Sequence, residues 1–321
     1  MAYGTVNADV IQSSVSGVSL GAGNASIMKN RIINGAMVID QRNAGASVTS
    51  GFPVDRWQFV LTQASKLTGQ RSTTAPVGFV NSLNVTSSSA YSIGSGDIFA
   101  LCQRIEGYNV ADLGWGTANA KTVTLSFQVY SSLTGTFGGA LQNNAQNRSY
   151  PFSYSIPVAN TWTTISVTIA GDTTGTWTTD NSSGLGVNFG LGCGSTYSGT
   201  AGTWAGSQLF SATGATSVVG TSGATFYITG VQLEVGTSAT GFEYRQYTQE
   251  LALCQRYYTA NTYYVFGAGG ASIVSFKSSM RTTPTVGGGG AGFGTTATSQ
   301  DSVAVYQTAG ASQALTFTAE L

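Results

Sequence analysis

Tyrosine aside, the 321-residue chain has 13 Asp/Glu, 13 Lys/Arg and three Cys with which to do ionic chemistry, and no His. Without imidazole there is no Ser-His-Asp triad, no Cys-His dyad and no imidazole-ligated zinc. Catalysis would fall to paired carboxylates, which glycosidases hold about 5–10 Å apart. Asp172 and Asp180, on either side of Trp177, come nearest to such a pair. Both sit in turn contexts, Gly171-Asp172-Thr173 and Asp180-Asn181, and read as turn residues. The run Gly287–Gly290 lacks the Lys-Ser/Thr of a phosphate loop and reads as a loop apex. Any disulfide scheme leaves one thiol over, so Cys102, Cys193 and Cys254 read as small buried apolar residues.

Aromatic residues offer binding chemistry instead. Sugar rings present apolar CH faces that stack on aromatic rings. Trp115 (in Gly114-Trp115-Gly116), Trp177 (in Gly175-Thr176-Trp177), Trp204 (in Gly202–Gly206) and nearby Tyr197 lie where strand alternation is absent. They are the candidate glycan-binding residues, carried on loops. Tyr257, Tyr258, Tyr263 and Tyr264 form a Tyr-rich cluster, suited to an oligomer interface because each joins a large apolar area to a polar tip.

The elements that must position these residues read as strands. Val123–Tyr130 alternates apolar and polar over eight residues, and Thr164–Ile169, Leu185–Leu191 and Thr225–Leu233 repeat the pattern. Short strands separated by Gly/Ser/Thr/Asn loops predict an all-β chain built as a β-sandwich or barrel. One helix is expected near Thr248–Tyr258, with Thr248 as N-cap. The expected organisation is an extended N-terminal arm (1–29), a β-sandwich (30–248), a short helical linker (249–258) and a small C-terminal β module (259–321).

Only 8% of residues are charged, against about a quarter in typical domains, and 15 Phe, 15 Tyr and 5 Trp exclude a disordered chain. The formal net charge of zero argues against an electrostatic nucleic-acid partner. No apolar run approaches the ~20 residues of a membrane span, so no membrane insertion is expected. The first 23 residues lack a basic start followed by an apolar run, which predicts synthesis in a cytoplasm without a secretory leader. A polar but uncharged surface suits a particle exposed to changing salt and pH.

Eight blocks, in order, carry a resemblance: Asn30–Met37, Asp40–Asn43, Val54–Trp57, Gln103–Gly107, Thr124–Phe127, Tyr227–Gly236, Ala239–Arg245 and Cys254–Tyr258. Together they resemble tail-fibre and other virion structural proteins of tailed phages, notably marine and cyanobacterial ones. The architecture also resembles jelly-roll carbohydrate-binding modules, many of which hold a structural calcium with an acidic residue of the last strand. Here Thr229 and Gly230 stand in that place, so calcium ligands would have to come from Asp40, Glu234 or backbone carbonyls. Met280–Thr285 looks like C-terminal modules of phage fibres.

The resemblance implies a jelly-roll β-sandwich on a virion, in the tail fibre or at the capsid surface. It implies a homotrimer that docks on other virion proteins through its arm and adheres to host surface glycans by multivalent contacts. No enzymatic activity and no cofactor beyond the calcium is expected. The alternatives are a capsid-mounted decoration protein with a structural role and a carboxylate-based glycan-degrading enzyme.

Overall fold

A computed structural model describes residues 28–265, 271–290, 292–307 and 310–321. Nearly all of the expected N-terminal arm lies outside the described residues.

The strands run β1 (Gln58–Leu61), β2 (Leu67–Ser72), β3 (Ser82–Ser87), β4 (Ile98–Glu106), β5 (Val123–Ser131), β6 (Gly135–Gln142), β7 (Ser149–Ile156), β8 (Thr163–Ile169), β9 (Ser183–Cys193), β10 (Ser198–Gly199), β11 (Ser211–Ala212) and β12 (Thr225–Val235). Two five-stranded antiparallel sheets form the sandwich, in the orders β1-β4-β9-β6-β7 and β2-β3-β12-β5-β8. Outside the hairpins β2–β3 and β6–β7, successive strands cross between sheets, so the chain is an all-β jelly-roll sandwich.

Alternation explains the layers. In β5 the residues Val123, Leu125, Phe127 and Val129 point inward and are buried, while Ser126, Gln128 and Tyr130 face out. The interior fills with aromatic rings, Phe127, Phe137, Phe152, Phe189 and Phe226 among them, and with Trp57, which is fully buried. Strand β9 is buried along almost its whole length because the segment carrying β10 and β11 lies across its outer face. Gly190 makes that possible: a Cβ there would stand 2.5 Å from the Ser211 hydroxyl oxygen.

The first blocks of the sequence form hydrogen-bond hubs. Asn30 Oδ1 accepts from the N–H groups of Ile32 (2.9 Å) and Leu233 (3.1 Å), laying this segment along β12. The Asn34 side chain donates to the Ile39 and Asp55 carbonyls and accepts from the Ile39 N–H. The buried Gln103 amide pairs with both backbone groups of Ile33 at 2.8 Å.

A helix, α1 (Tyr247–Gln255), leads to the C-terminal module. Gln246 stands at its N-cap, not Thr248, and makes no side-chain capping bond. The module contains β13 (Tyr258–Val265), β14 (Ser272–Ser275), β15 (Thr285–Gly288), β16 (Gly294–Thr298), β17 (Ser302–Tyr306) and β18 (Ala311–Thr318). These make two three-stranded sheets, β13-β18-β15 and β14-β17-β16, around Val274, Met280, Val303, Leu315 and Phe317. Gly287 and Gly288, expected at a loop apex, instead pair with Thr316 and Leu315 in the sheet. Among the described residues no helix is long and apolar enough to cross a membrane.

Candidate functional site

Trp115, Trp177 and Trp204, far apart in sequence and on three separate loops, meet at one end of the sandwich. Their ring centroids lie 4.8 Å (115–177), 5.4 Å (115–204) and 5.5 Å (177–204) apart, all edge-to-face. This is the favourable geometry for ring quadrupoles. Trp115 is 7% exposed, whereas Trp177 and Trp204 are half-buried.

Each loop is tied down locally. Trp115 follows two short 3-10 turns, Gly107–Asn109 and Ala111–Leu113. Gly116, at φ 85°, donates its N–H to the Asp172 carbonyl at 2.7 Å, and a Cβ on it would meet the Gly175 carbonyl oxygen. A positive φ and this close approach both require glycine there. Each indole N–H donates to a backbone carbonyl: Trp115 to Lys121 (2.8 Å), Trp177 to Thr174 (3.2 Å) and Trp204 to Ala170 (2.9 Å). What the cluster can present to a ligand is therefore ring surface.

Trp115 and Trp177 border a cleft of about 270 Å³, shared with Val110, Leu113, Thr117, Thr178, Thr179 and Leu185. No ionisable side chain lines it. The Thr117 and Thr178 hydroxyls already donate to the Gly114 and Ser183 carbonyls, so the arrangement suits an uncharged ligand with apolar faces, oriented by the Thr179 hydroxyl.

Asp172 lies beside this cluster but is committed to structure. It accepts from Arg148 Nε and Nη2, both at 2.7 Å, and from the Thr174 N–H and hydroxyl. Burial pushes its carboxyl up, but the bonds from Arg148 and Thr174 outweigh that and hold it below the ordinary carboxylate range. Asp180 closes its own turn through the Ser182 N–H and hydroxyl. The turn reading of both residues matches these bonds.

The remaining candidates lie elsewhere. Tyr197 packs on Phe210 at 6.0 Å, in a cluster with Ile98 and Ala100 rather than with the tryptophans. Tyr257 is fully buried inside the chain and donates its hydroxyl to Glu106 at 2.9 Å, so it is not available to a second copy. Arg56 lies 3.5 Å from the Tyr257 ring centroid and Arg42 lies 3.7 Å from that of Tyr258. Tyr263 packs on Phe317, and Tyr264 is 59% exposed.

The two calcium candidates do not fit a metal. Asp40 accepts from the N–H groups of Asn43 (3.1 Å) and Gly45 (2.6 Å), and so caps a turn. Glu234 accepts from Gln232 Nε2, the Thr240 N–H and the Thr240 hydroxyl. Oxygens already filled by N–H and O–H donors would have to shed them for a cation. Among the described residues no three Asp, Glu or Cys side chains gather as a metal cluster.

Sequence reasoning passed over a second aromatic group, Tyr130, Trp162 and Tyr227, which meet on the outer face of the second sheet. The signal was present. The alternation that buries Val129 turns Tyr130 outward, and Trp162 precedes Thr163–Ile169 on the same outward parity.

No family model matches the chain, and no curated protein matches it. Solved structures do. One is the enzymatically active domain of tailspike protein 4 of bacteriophage CBA120, at 14% identity and TM-score 0.36, covering 64% of this chain. This chain spans only 21% of that tailspike. A putative sugar-binding protein from Bacteroides thetaiotaomicron aligns at 14% identity and TM-score 0.39, over 65% of this chain and 100% of its own. The family 11 carbohydrate-binding module of a cellulosomal cellulase from Clostridium thermocellum aligns at 12% identity and TM-score 0.31, over 62% and 100%.

Proposed function

We propose that the protein is a non-catalytic adhesin of a phage virion that binds neutral glycans on the host surface. The observation that carries the glycan reading is the convergence of Trp115, Trp177 and Trp204 beside a cleft with no ionisable lining residue, and the virion reading rests on the sequence blocks that resemble phage structural proteins. Stacking on the half-buried rings of Trp177 and Trp204 supplies affinity, and the exposed Thr179 hydroxyl supplies orientation. Binding rather than hydrolysis is favoured because no carboxylate lines the cleft and Asp172 is held in its fork by Arg148. Each contact is weak. Copies joined through the N-terminal arm, as a homotrimer fixed to other virion proteins, raise the effective concentration and give avidity.

Two experiments test this. The first is affinity electrophoresis of the full chain through gels containing galactan, xylan, mannan or mixed-linkage glucan. Retention by one polymer, reduced in the Trp177→Ala/Trp204→Ala double variant with the fold intact, is the expected result. Retention unchanged in that variant removes the cleft from the proposal. The second is antibody-gold labelling of purified particles: label at the tail tip supports receptor binding, and label spread over the head favours a capsid-mounted decoration protein.

A further inference from the structure

The outer face of the second sheet has its own chemistry. Cross-strand registry pairs Ser126 with Ser166, Gln128 with Thr164 and Tyr130 with Tyr227. Trp162 closes one end of this face, 5.6 Å from Tyr130 and 6.4 Å from Tyr227 between ring centroids. Beside the floor of this face, with Phe79 over Gly230 of β12, Phe79, Phe242 and Tyr244 pack on one another at 4.9–5.4 Å. They wall a groove of about 300 Å³ whose floor includes Ser126, Gln128, Thr164 and Ser166. From Tyr130 to Ser126 along the strand is about 14 Å.

Two features identify what lies there. The first is charge: the outward positions of β3, β5 and β8, and of β12 from 225 to 229, hold no Asp, Glu, Lys or Arg. The second is hydrogen bonding. Among the described residues the side chains of Ser126, Gln128, Thr164 and Ser166, the Trp162 indole N–H and the Tyr130 and Tyr227 hydroxyls have no hydrogen-bond partner in the protein. This reverses the situation in the tryptophan cleft, where every indole N–H is used internally. A face for another protein has an apolar centre and a polar rim. Here the floor is polar and the aromatic rings stand around it.

We infer that this face is a second carbohydrate platform. It takes an extended, neutral polysaccharide chain laid along β5 and β8, with sugar rings stacked on the flanking aromatic rings and hydroxyls bonded to the Ser/Gln/Thr floor. The inference rests on the neutral-glycan reading above but uses none of the same residues. With two platforms, one chain can hold two segments of a polymer, and the second contact becomes intramolecular.

The test uses the same polysaccharide gels and the full chain. The face variants are Trp162→Ala/Gln128→Ala and, separately, Thr164→Arg, an exposed position where a long side chain obstructs the floor without touching the core. Both face variants are expected to lose at least about fivefold in retention at an unchanged melting temperature. The Trp177→Ala/Trp204→Ala variant is expected to keep part of its retention, and the combined variant none. Face variants that match the wild type overturn the second platform, and the cleft reading stands if its own variant loses retention. A wild type that no polymer retards overturns both. Sedimentation that shows the face variants changing oligomeric mass in place of retention assigns the face to self-association and overturns the inference.

Discussion

Arg148 grips Asp172 with two parallel bonds of 2.7 Å, from Nε and Nη2, and its guanidinium carbon lies 6.0 Å from the ring centroid of Trp204. The fork ties the loop before β7 to the loop after β8, and Asp172 in turn receives the N–H of Gly116 on its carbonyl. The fork thus anchors the loops of Trp115 and Trp177 and stands beside Trp204. Asp172 is buried and Arg148 is 21% exposed, so breaking the pair leaves a largely uncompensated charge. Arg148→Ala is expected to cost about 3 kcal/mol in urea denaturation. Arg148→Lys, which cannot fork, is expected to recover only part of that loss. A loss below about 0.5 kcal/mol, ordinary for exposed pairs, would show that the fork does not organise the loops.

Burial separates the roles of the three tryptophans. Trp115→Ala opens a cavity under the other two rings and is expected to cost about 3–5 kcal/mol, lowering the melting temperature and glycan retention together. Trp177→Ala and Trp204→Ala remove half-buried rings and are expected to lower retention with a smaller stability loss. Thermal melts run beside gel retention for the three single variants separate these outcomes. Equal stability losses in all three would reduce the cluster to a plug at the end of the sandwich.

The sequence shows parts of this arrangement and hides others for physical reasons. The eight-residue alternation at Val123–Tyr130 became β5, because a half-buried strand writes its period directly into residue types. Trp115 between two glycines, and Trp177 and Trp204 within two residues of one, were legible as loop aromatics, but their meeting depends on which loops share an end of the sandwich. Tyr257 misled because a Tyr-rich stretch reads the same whether it faces a partner or its own chain. Strand parity puts Arg104 and Glu106 on one face of β4 and suggests that they pair. Glu106 instead receives Arg256 through Nε (3.1 Å) and Nη2 (2.6 Å), from 150 residues away.

Asp55 gives the fold an unusual pH dependence. Burial pushes its carboxyl up to about 6, against the downward pull of Arg42 and the Gln41 amide. The native state therefore binds a proton between about pH 4 and 6 that the unfolded chain releases. Where the native state holds more protons, stability falls as pH rises. The contribution is greatest below about pH 4 and declines by up to about 3 kcal/mol by pH 6.5. Burial pushes Glu250 the same way, so Asp55 supplies part of the slope. Asp172, held low, acts only at more acidic pH. Urea midpoints at pH 4, 5 and 6.5 are expected to fall in the wild type and to fall less in Asp55→Asn. Parallel profiles for the two proteins would exclude Asp55 as the source.

Glu320, near the end of the last strand, fastens the C-terminal module to the sandwich. Its carboxylate takes the guanidinium groups of Arg42 and Arg56, and Arg56 lies over the Tyr257 ring, whose hydroxyl reaches Glu106. Arg281 reinforces the seam by donating to the carbonyls of Ala319, Glu320 and Asn181. Arg56 is buried, and Glu320→Ala leaves it without its carboxylate, a costly state in a low dielectric. The variant is expected to undock the module. Calorimetry would then resolve two transitions where the wild type has one, and trypsin would cut sooner at Lys277 and Arg281. Each 1.4 kcal/mol of lost docking raises the open fraction, and the cleavage rate with it, about tenfold. Tyr257→Phe removes only the bond to Glu106 and keeps the ring under Arg56, so it is expected to retain a single transition. If Glu320→Ala also melts in one step at the wild-type cleavage rate, the module is held by its apolar contacts with α1 and the first segment rather than by the ion pair.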